Sequence, residues 1–192
     1  MNSEQDSNYK TKNTSILHDL GESLKMVLTS RYLYIGIFVL TAGMLLNFAS
    51  QTYLHNNESQ GKTLPMLSDL ILDNIPFVNV TFFYDLASLL SLVVLAVYLL
   101  AKNEIKRLPY VLILIGIFYV VRGVFIVLTP IGNPPMFPGS GAPFNGFSRF
   151  ELGVYPSGHV GGSFMFFLLA RDRFFKYLML GFVIFIIITL LL

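Results

Sequence analysis

The chain has 192 residues, of which 54% are hydrophobic and 12% are charged, and its mean hydropathy is +0.66. These values exclude a soluble domain built around one buried core and indicate a polytopic membrane protein. The absence of cysteine excludes disulfides and thiolate metal sites, and a net charge of +2 is too small to indicate nucleic acid as a partner.

The N-terminal part of the chain predicts a tail followed by a first span. Residues 1–30 are polar and lack the plan of a cleaved signal peptide, so we expect a cytoplasmic tail. Within it, residues 16–28 predict a short amphipathic helix on the bilayer surface. The first apolar span covers residues 32–48. The polar residues 49–81 then predict a loop that contains a short re-entrant or interfacial helix with Asp69 in its first turn.

The middle of the chain predicts two further spans joined by a tight turn. The second span covers residues 82–101, and Asp85 near its start is expected to face the bundle or the headgroup layer, because a carboxylate in lipid is costly. A basic turn over residues 102–107 leads to the third span, over residues 109–128. Arg122 lies inside that span. Its charge needs a carboxylate, carbonyl groups or an anionic ligand to offset desolvation, so it is a candidate functional residue.

The C-terminal part predicts a long loop and two more spans. Residues 129–155 are dense in proline and glycine and too long for a simple connector, which favours a lid or a substrate-facing loop. The run Pro156-Ser157-Gly158-His159 opens the fourth span, over residues 156–170. After a second basic turn, the fifth span covers residues 177–192. The predicted fold class is therefore all-α, with residues 31–192 forming a transmembrane helical bundle that shows five spans of an expected six.

The distribution of basic residues predicts the orientation of this bundle. The tail and the two short turns hold ten lysines and arginines, whereas the two long loops hold two. This asymmetry predicts a cytoplasmic tail and cytoplasmic short turns, with both long loops on the exoplasmic, lumenal or periplasmic side. His159 then begins its helix at the outer face. Arg122 lies roughly 10 Å below that face at about 1.5 Å per residue, so the two residues are expected to converge.

Two interpretations of this convergence stay open. The first is a helix cap with an incidental histidine beside it. The second is an anion site, because Pro156 is predicted in the first helical turn, where the N–H groups and the helix dipole favour a phosphate group. Arginine matches phosphate geometry, and Ser157 with the N–H groups of Gly158 and His159 would bind the remaining oxygens. His159 exchanges a proton near neutral pH.

The residues of this site carry a resemblance to a known family. Pro156-Ser157-Gly158-His159, preceded by the intramembrane Arg122, resembles the second and first signature motifs of the type 2 phosphatidic acid phosphatase superfamily of membrane lipid phosphatases and lipid phosphotransferases. The resemblance covers roughly residues 64–192. Within the superfamily, residues 64–69, together with Arg122-Gly123 followed by residues 128–130, are similar to the sphingomyelin-synthase-like branch.

The resemblance implies a set of roles for these residues. His159 is implied as the acid that protonates the leaving alcohol, and Arg122, Ser157 and Gly158 as the groups that hold the phosphate. It further implies six helices and a phosphohistidine intermediate on a histidine of a third motif, with an aspartate four residues later. The implied substrate is a lipid phosphate or phospholipid from the surrounding bilayer, and the scheme uses no metal or other cofactor.

The chain departs from the family pattern in two places. Ile115 and Gly123 stand where the first motif usually has a basic residue and a proline. No histidine follows His159, so the third motif is absent, and His55 lacks the partner aspartate because Ser59 stands four residues later. We therefore expect a chain that is truncated near its C-terminus.

The sequence is compatible with two classes of function and disfavours a third. A lipid phosphatase with water as acceptor, or a phosphotransferase with a lipid alcohol as acceptor, uses the residues above. A non-catalytic lipid-binding or partner-binding membrane protein needs no nucleophile. A transporter is disfavoured, because Arg122 and Asp85 are the only charged residues near the spans and do not form a path through the midplane.

Overall fold

The computed structural model describes residues 18–62, 64–65, 80–131 and 156–191. These residues form six α-helices and one short 3-10 helix, with no β-strand among them, which confirms the all-α prediction for this part of the chain. The α-helices are α1 (residues 18–28), α2 (Arg31–Ser59), α3 (Thr81–Ala101), α4 (Leu108–Leu128), α5 (Gly158–Leu169) and α6 (Arg173–Leu191), and the 3-10 helix Ile105–Arg107 precedes α4. The predicted helix around Asp69 and residues 132–155 of the predicted lid or substrate-facing loop (129–155) lie outside the described residues.

Four of these helices are long and apolar enough to cross a membrane, namely α2, α3, α4 with its preceding 3-10 turn, and α6. Helix α5 is apolar but has 12 residues. At about 1.5 Å per residue it is roughly 18 Å long, whereas the hydrocarbon core of a bilayer is about 30 Å thick. The described helices therefore show four spans of sufficient length, fewer than the five predicted.

Helix α2 is longer than the sequence predicted. It has 29 residues and ends at Ser59, whereas the predicted span ended at residue 48 with a polar loop after it. The prediction was wrong because polar composition marks where a helix leaves lipid and not where it ends. The extra turns are held by packing, since Leu54 of α2 is fully buried against Ile126 near the end of α4.

Helices α2 and α4 lie side by side and run in the same direction. Small residues seven positions apart on each helix bring the two backbones into contact. A Cβ added to Gly36 would lie 2.9 Å from the Pro109 carbonyl oxygen, and one added to Gly116 would lie 2.6 Å from the Leu40 nitrogen. Near the other end of the pair, Gly123 packs against Asn47 and Ser50. The α2–α4 pair is therefore one closely packed unit with no room for side chains at its contact line.

A second group of helices packs around one apolar core. Helix α3 contacts α5 where the Oγ atoms of Ser91 and Ser163 lie 2.9 Å apart and share a buried hydrogen bond. The core beside this contact joins α3, α4, α5 and α6 and consists of Leu95, Tyr98, Leu99, Val111, Phe166, Leu169 and Met179. This core fixes α5 against α3 and so determines where its N-terminus lies.

The two basic turns lie together at one end of the bundle, here called the basic end. Lys102 Nζ is 2.8 Å from Asp172 Oδ2, and Arg107 Nη1 donates to the Leu169 carbonyl oxygen at 3.2 Å. Helix α2 also begins here, because it runs parallel to α4. The N-termini of α3 and α5 lie at the opposite end, here called the site end. The grouping of the basic turns at one end agrees with the charge pattern of the sequence.

Helix α6 begins at Arg173, four residues before the predicted start of the fifth span. Asp172 caps it, with Oδ1 accepting from the N–H groups of Phe174 at 3.1 Å and Phe175 at 3.3 Å. The predicted start of the fifth span was too late, because it was placed after the basic residues. The Asp172 cap allows the helix to begin among them. The hydrogen bond from Lys102 and those from the backbone lower the pKa of Asp172 below its ordinary value.

We expect Asp172→Asn to lower the thermal unfolding temperature at neutral pH. Because the pKa of Asp172 is lower in the folded than in the unfolded protein, the ionised carboxylate stabilises the fold above its unfolded pKa. That contribution is lost as the pH falls through the folded pKa, so the gap between wild type and variant should shrink below the ordinary value of 3.8. Thermal unfolding in detergent at neutral and acidic pH measures it. Asp19→Asn, at an exposed position in α1, is the control, and a gap that is independent of pH would contradict the assignment.

Candidate functional site

The site end is built around contact between Arg122 of α4 and the start of α5. Arg122 Nε donates a hydrogen bond to the Pro156 carbonyl oxygen at 2.8 Å, and the side chain is only 8% exposed. The guanidinium lies directly beside Gly158, where an added Cβ would be 3.2 Å from Nε and 3.4 Å from Cζ. Glycine at position 158 therefore leaves room for the cation at the helix N-terminus.

Ser157 is the N-cap of α5. Its backbone is extended, with φ −61° and ψ 121°, and its Oγ accepts from the Val160 N–H at 3.3 Å. Pro156 thus precedes the cap, and its predicted place in the first helical turn was wrong because serine, one residue later, supplies the capping oxygen. The N–H groups of Gly158 and His159 lie in the first turn, where an α-helix has no internal acceptor for them.

The N-terminal part of α3 supplies two side chains that contact this region, Tyr84 and Asp85. Asp85 Oδ1 lies 3.3 Å from His159 Nε2, and Asp85 is only 8% exposed. The Tyr84 ring packs on the His159 ring with 4.3 Å between centroids and 44° between planes. The Tyr84 hydroxyl is 3.2 Å from Ser157 Oγ, so the two share a hydrogen bond. His159 is thus held by a carboxylate and an aromatic ring from one neighbouring helix.

Helix α2 contributes Asn47 to the same cluster. Arg122 Nη1 donates a hydrogen bond to Asn47 Oδ1. Asn47 reaches the arginine because its backbone packs against Gly123, where a Cβ would lie 3.3 Å from Asn47 Cα. Arg122 therefore links α2, α4 and the start of α5, and the close contact between α2 and α4 sets the position of its charge.

The structure brings together all four residues that the sequence singled out, Arg122, Ser157, Gly158 and His159. Asp85 faces the bundle, as expected from the cost of a carboxylate in lipid, but its pairing with His159 was not predicted. The predicted topology contained this information. Successive spans run in opposite directions, so the start of α3 and the start of α5 are expected at the same end of the bundle.

Asn47 and Tyr84 were missed by the sequence reasoning. A polar amide within an apolar span was the available signal for Asn47. Nothing in the sequence distinguished Tyr84 from the other tyrosines near span ends. Among the described residues, no group of three or more histidine, cysteine, aspartate or glutamate side chains is placed to hold a metal ion.

The cluster combines donors and an acid–base pair in a small volume. Arg122 carries a positive charge at the N-terminus of α5, where the helix dipole adds to its field. Asp85 and His159 form a pair between which a proton can be shared. Such an arrangement suits an anionic group that receives or gives up a proton.

The fold and this cluster describe a helical protein of the integral-membrane class, with a buried arginine and a histidine–aspartate pair at one end of its bundle. No protein-family model, no curated protein and no solved structure matches the chain.

Proposed function

We propose that the cluster at the site end binds the phosphate group of a lipid, and that the protein is a membrane lipid phosphatase or lipid phosphotransferase. The observation that carries the proposal is the position of Arg122 against the capped first turn of α5, next to His159. This juxtaposition joins the residues that resemble the two family motifs, although they are 34 positions apart in sequence.

The fit of the site to a phosphate group rests on the positive charge of Arg122 and on the N–H groups at the N-terminus of α5. A guanidinium forms strong charge-assisted hydrogen bonds with phosphate oxygens, and the N–H groups at a helix N-terminus favour an anion. Gly158 lies against the guanidinium, and Ser157 and His159 are its chain neighbours in the capped first turn of α5. We propose Arg122, Ser157 and Gly158 as the phosphate-binding residues.

The depth of the cluster supports a lipid as the substrate. Arg122 lies six residues before the end of α4 at Leu128, which is roughly 9 Å at about 1.5 Å per residue. We propose that α5 belongs to a fifth span and that a sixth completes the bundle. The site then faces the exoplasmic, lumenal or periplasmic side, since the basic end carries the charges typical of cytoplasmic turns. A binding site at this depth is within reach of the phosphate group of a lipid that enters from the bilayer.

In the proposed reaction His159 protonates the leaving oxygen while Arg122 and the α5 amides stabilise the charge on the phosphoryl group. Water as the acceptor makes the protein a phosphatase, and a lipid alcohol makes it a headgroup transferase of the sphingolipid-synthase type. The resemblance assigns the nucleophile to another histidine with an aspartate four residues later. The 192 residues contain three histidines, and none of them has an aspartate at that spacing.

That last observation favours an alternative of another class, a lipid-binding or partner-binding membrane protein without catalysis. It keeps the same phosphate contacts but makes no use of the proton on His159. The two proposals separate in one assay, because turnover of a lipid phosphate by the wild type supports the enzyme, whereas binding without turnover supports the second class.

Binding of phosphatidic acid to the full chain in nanodiscs tests the shared part of both proposals. We expect Arg122→Gln to raise the dissociation constant about 10- to 100-fold, because a charge-assisted hydrogen bond contributes about 1.5–3 kcal/mol. Arg171→Gln, at the basic end, is the matched control and should bind as the wild type does. Equal affinity of the wild type and Arg122→Gln would contradict phosphate binding at this cluster.

A further inference from the structure

The pairing of His159 with Asp85 has no counterpart in the motifs that suggested a function. We infer that Asp85 is a positioning residue: it accepts the Nε2 proton of His159 and leaves Nδ1 as the ring nitrogen that exchanges a proton with the substrate. The catalytic part of this inference rests on the proposed function, whereas the pairing itself does not.

The first support is the burial and placement of the carboxylate. Asp85 is 8% exposed, and its Oδ1 is 3.3 Å from His159 Nε2. A buried carboxylate is costly unless it is paired or hydrogen-bonded. Among the described residues, the Asp85 Oδ2 atom has no hydrogen-bond partner, so the histidine contact through Oδ1 is the main compensation that this part of the chain offers.

The second support is the restraint on the imidazole ring. Tyr84 packs on one face of the ring, at 4.3 Å between centroids, and is itself held through its hydroxyl by Ser157. A ring fixed in plane by Tyr84 and in direction by Asp85 presents one nitrogen to the carboxylate and the other away from it. Which nitrogen carries out proton transfer is set by the hydrogen bond that the other one makes.

Other charged or titratable groups surround the pair. Tyr84 lies on the same turn of α3 as Asp85, and Arg122 of α4 interacts electrostatically with both His159 and Tyr119. Asp85 is the carboxylate in contact with His159 among the described residues. When His159 is protonated, Nε2–H faces the Asp85 carboxylate and Nδ1–H remains for the substrate, so the carboxylate compensates the charge of the imidazolium.

In the proposed reaction this arrangement gives a balanced proton cycle. An oxygen lone pair of the acceptor, water or an alcohol, forms the new bond to phosphorus as the bond between phosphorus and the leaving oxygen breaks. The electron pair of the broken bond stays on the leaving oxygen, which takes the proton from Nδ1 of the imidazolium. The neutral ring keeps its Nε2 proton toward Asp85, and the acceptor oxygen, now bonded to phosphorus, releases its own proton to Nδ1 and restores the starting state.

Nitrogen-15 NMR of the full chain in nanodiscs tests the pairing. His18→Gln and His55→Gln leave His159 as the single histidine signal. We expect a downfield Nε2 proton signal that exchanges slowly with water, as for an N–H bonded to a carboxylate. Asp85→Asn keeps the shape of the side chain but removes its charge, so the signal should move upfield and exchange faster. Asp172→Asn, a carboxylate-to-amide change at the basic end, should leave it unchanged.

An unchanged Nε2 signal in Asp85→Asn, or no such signal in the wild type, would overturn the inference. The rate provides a second readout: Asp85→Asn should lower kcat while KM changes little, and Asp85→Glu should restore part of the loss. Adding phosphatidic acid to the same samples separates this test from that of the proposed function. An Asp85-dependent Nε2 signal without lipid binding supports the pairing and contradicts the proposed lipid-phosphate function. Lipid binding without that signal supports the proposed binding and contradicts the pairing.

Discussion

Gly116→Ala is expected to destabilise the protein strongly and to lower the yield of folded material. A Cβ at position 116 would lie 2.6 Å from the Leu40 nitrogen and from the Val39 carbonyl group, and these backbone atoms cannot rotate away. Helices α2 and α4 would have to separate. Overpacking of this kind costs about 1–3 kcal/mol, and here it also removes close contact along neighbouring turns.

The matched control is Gly181→Ala in α6. A Cβ at Gly181 meets nothing within 4 Å, so alanine there keeps the packing and gains up to about 1 kcal/mol of helix propensity. The two substitutions are chemically identical and should change the unfolding temperature in opposite directions. Thermal unfolding in detergent, followed by intrinsic tyrosine fluorescence and by retention of the monodisperse peak, measures both. A wild-type unfolding temperature for Gly116→Ala would show that α2 and α4 do not pack through glycine.

A second consequence of this contact concerns the site. Because Asn47 holds Arg122 from α2, separation of α2 from α4 also moves the guanidinium away from Gly158. Any Gly116→Ala protein that remains folded should therefore bind phosphatidic acid more weakly, although position 116 lies about two turns from Arg122 along α4.

His159→Gln is expected to have the largest effect on the proposed reaction. Glutamine keeps a polar side chain of similar length but cannot donate a proton as an acid, so turnover should fall by a factor of about 10² to 10⁴. Binding of phosphatidic acid should change much less, because the phosphate-binding residues are Arg122, Ser157 and Gly158. Release of inorganic phosphate, and transfer of the headgroup to an added lipid alcohol, measure the two forms of the reaction.

His55→Gln is the matched control for this prediction. His55 lies near the end of α2 and has no aspartate four residues later. Turnover by His55→Gln should equal that of the wild type. Loss of turnover in His55→Gln together with normal turnover in His159→Gln would reverse the assignment and place the chemistry on α2.

The sequence alone determined the membrane class, the α3 and α4 spans and the identity of the charged residues that need partners. These features follow from local composition, because about twenty apolar residues in a row are sufficient to specify a membrane-crossing helix. The predicted third span begins at Pro109, and α4 has this proline in its first turn, where the missing N–H is tolerated. Arg122 and His159 were correctly expected to approach each other, because both were assigned a depth from their spans.

The tertiary structure alone decided how far α2 extends, where α5 and α6 begin, and which neighbours hold the site. The end of α2 depends on packing of Leu54 against Ile126, and the start of α6 depends on the Asp172 cap. The partners of Arg122 and His159 come from α2 and α3, which are distant in sequence. Seven-residue spacing of glycine becomes informative only when a second helix lies against it. Pairwise contacts between helices depend on rotation about the helix axes, which composition does not specify.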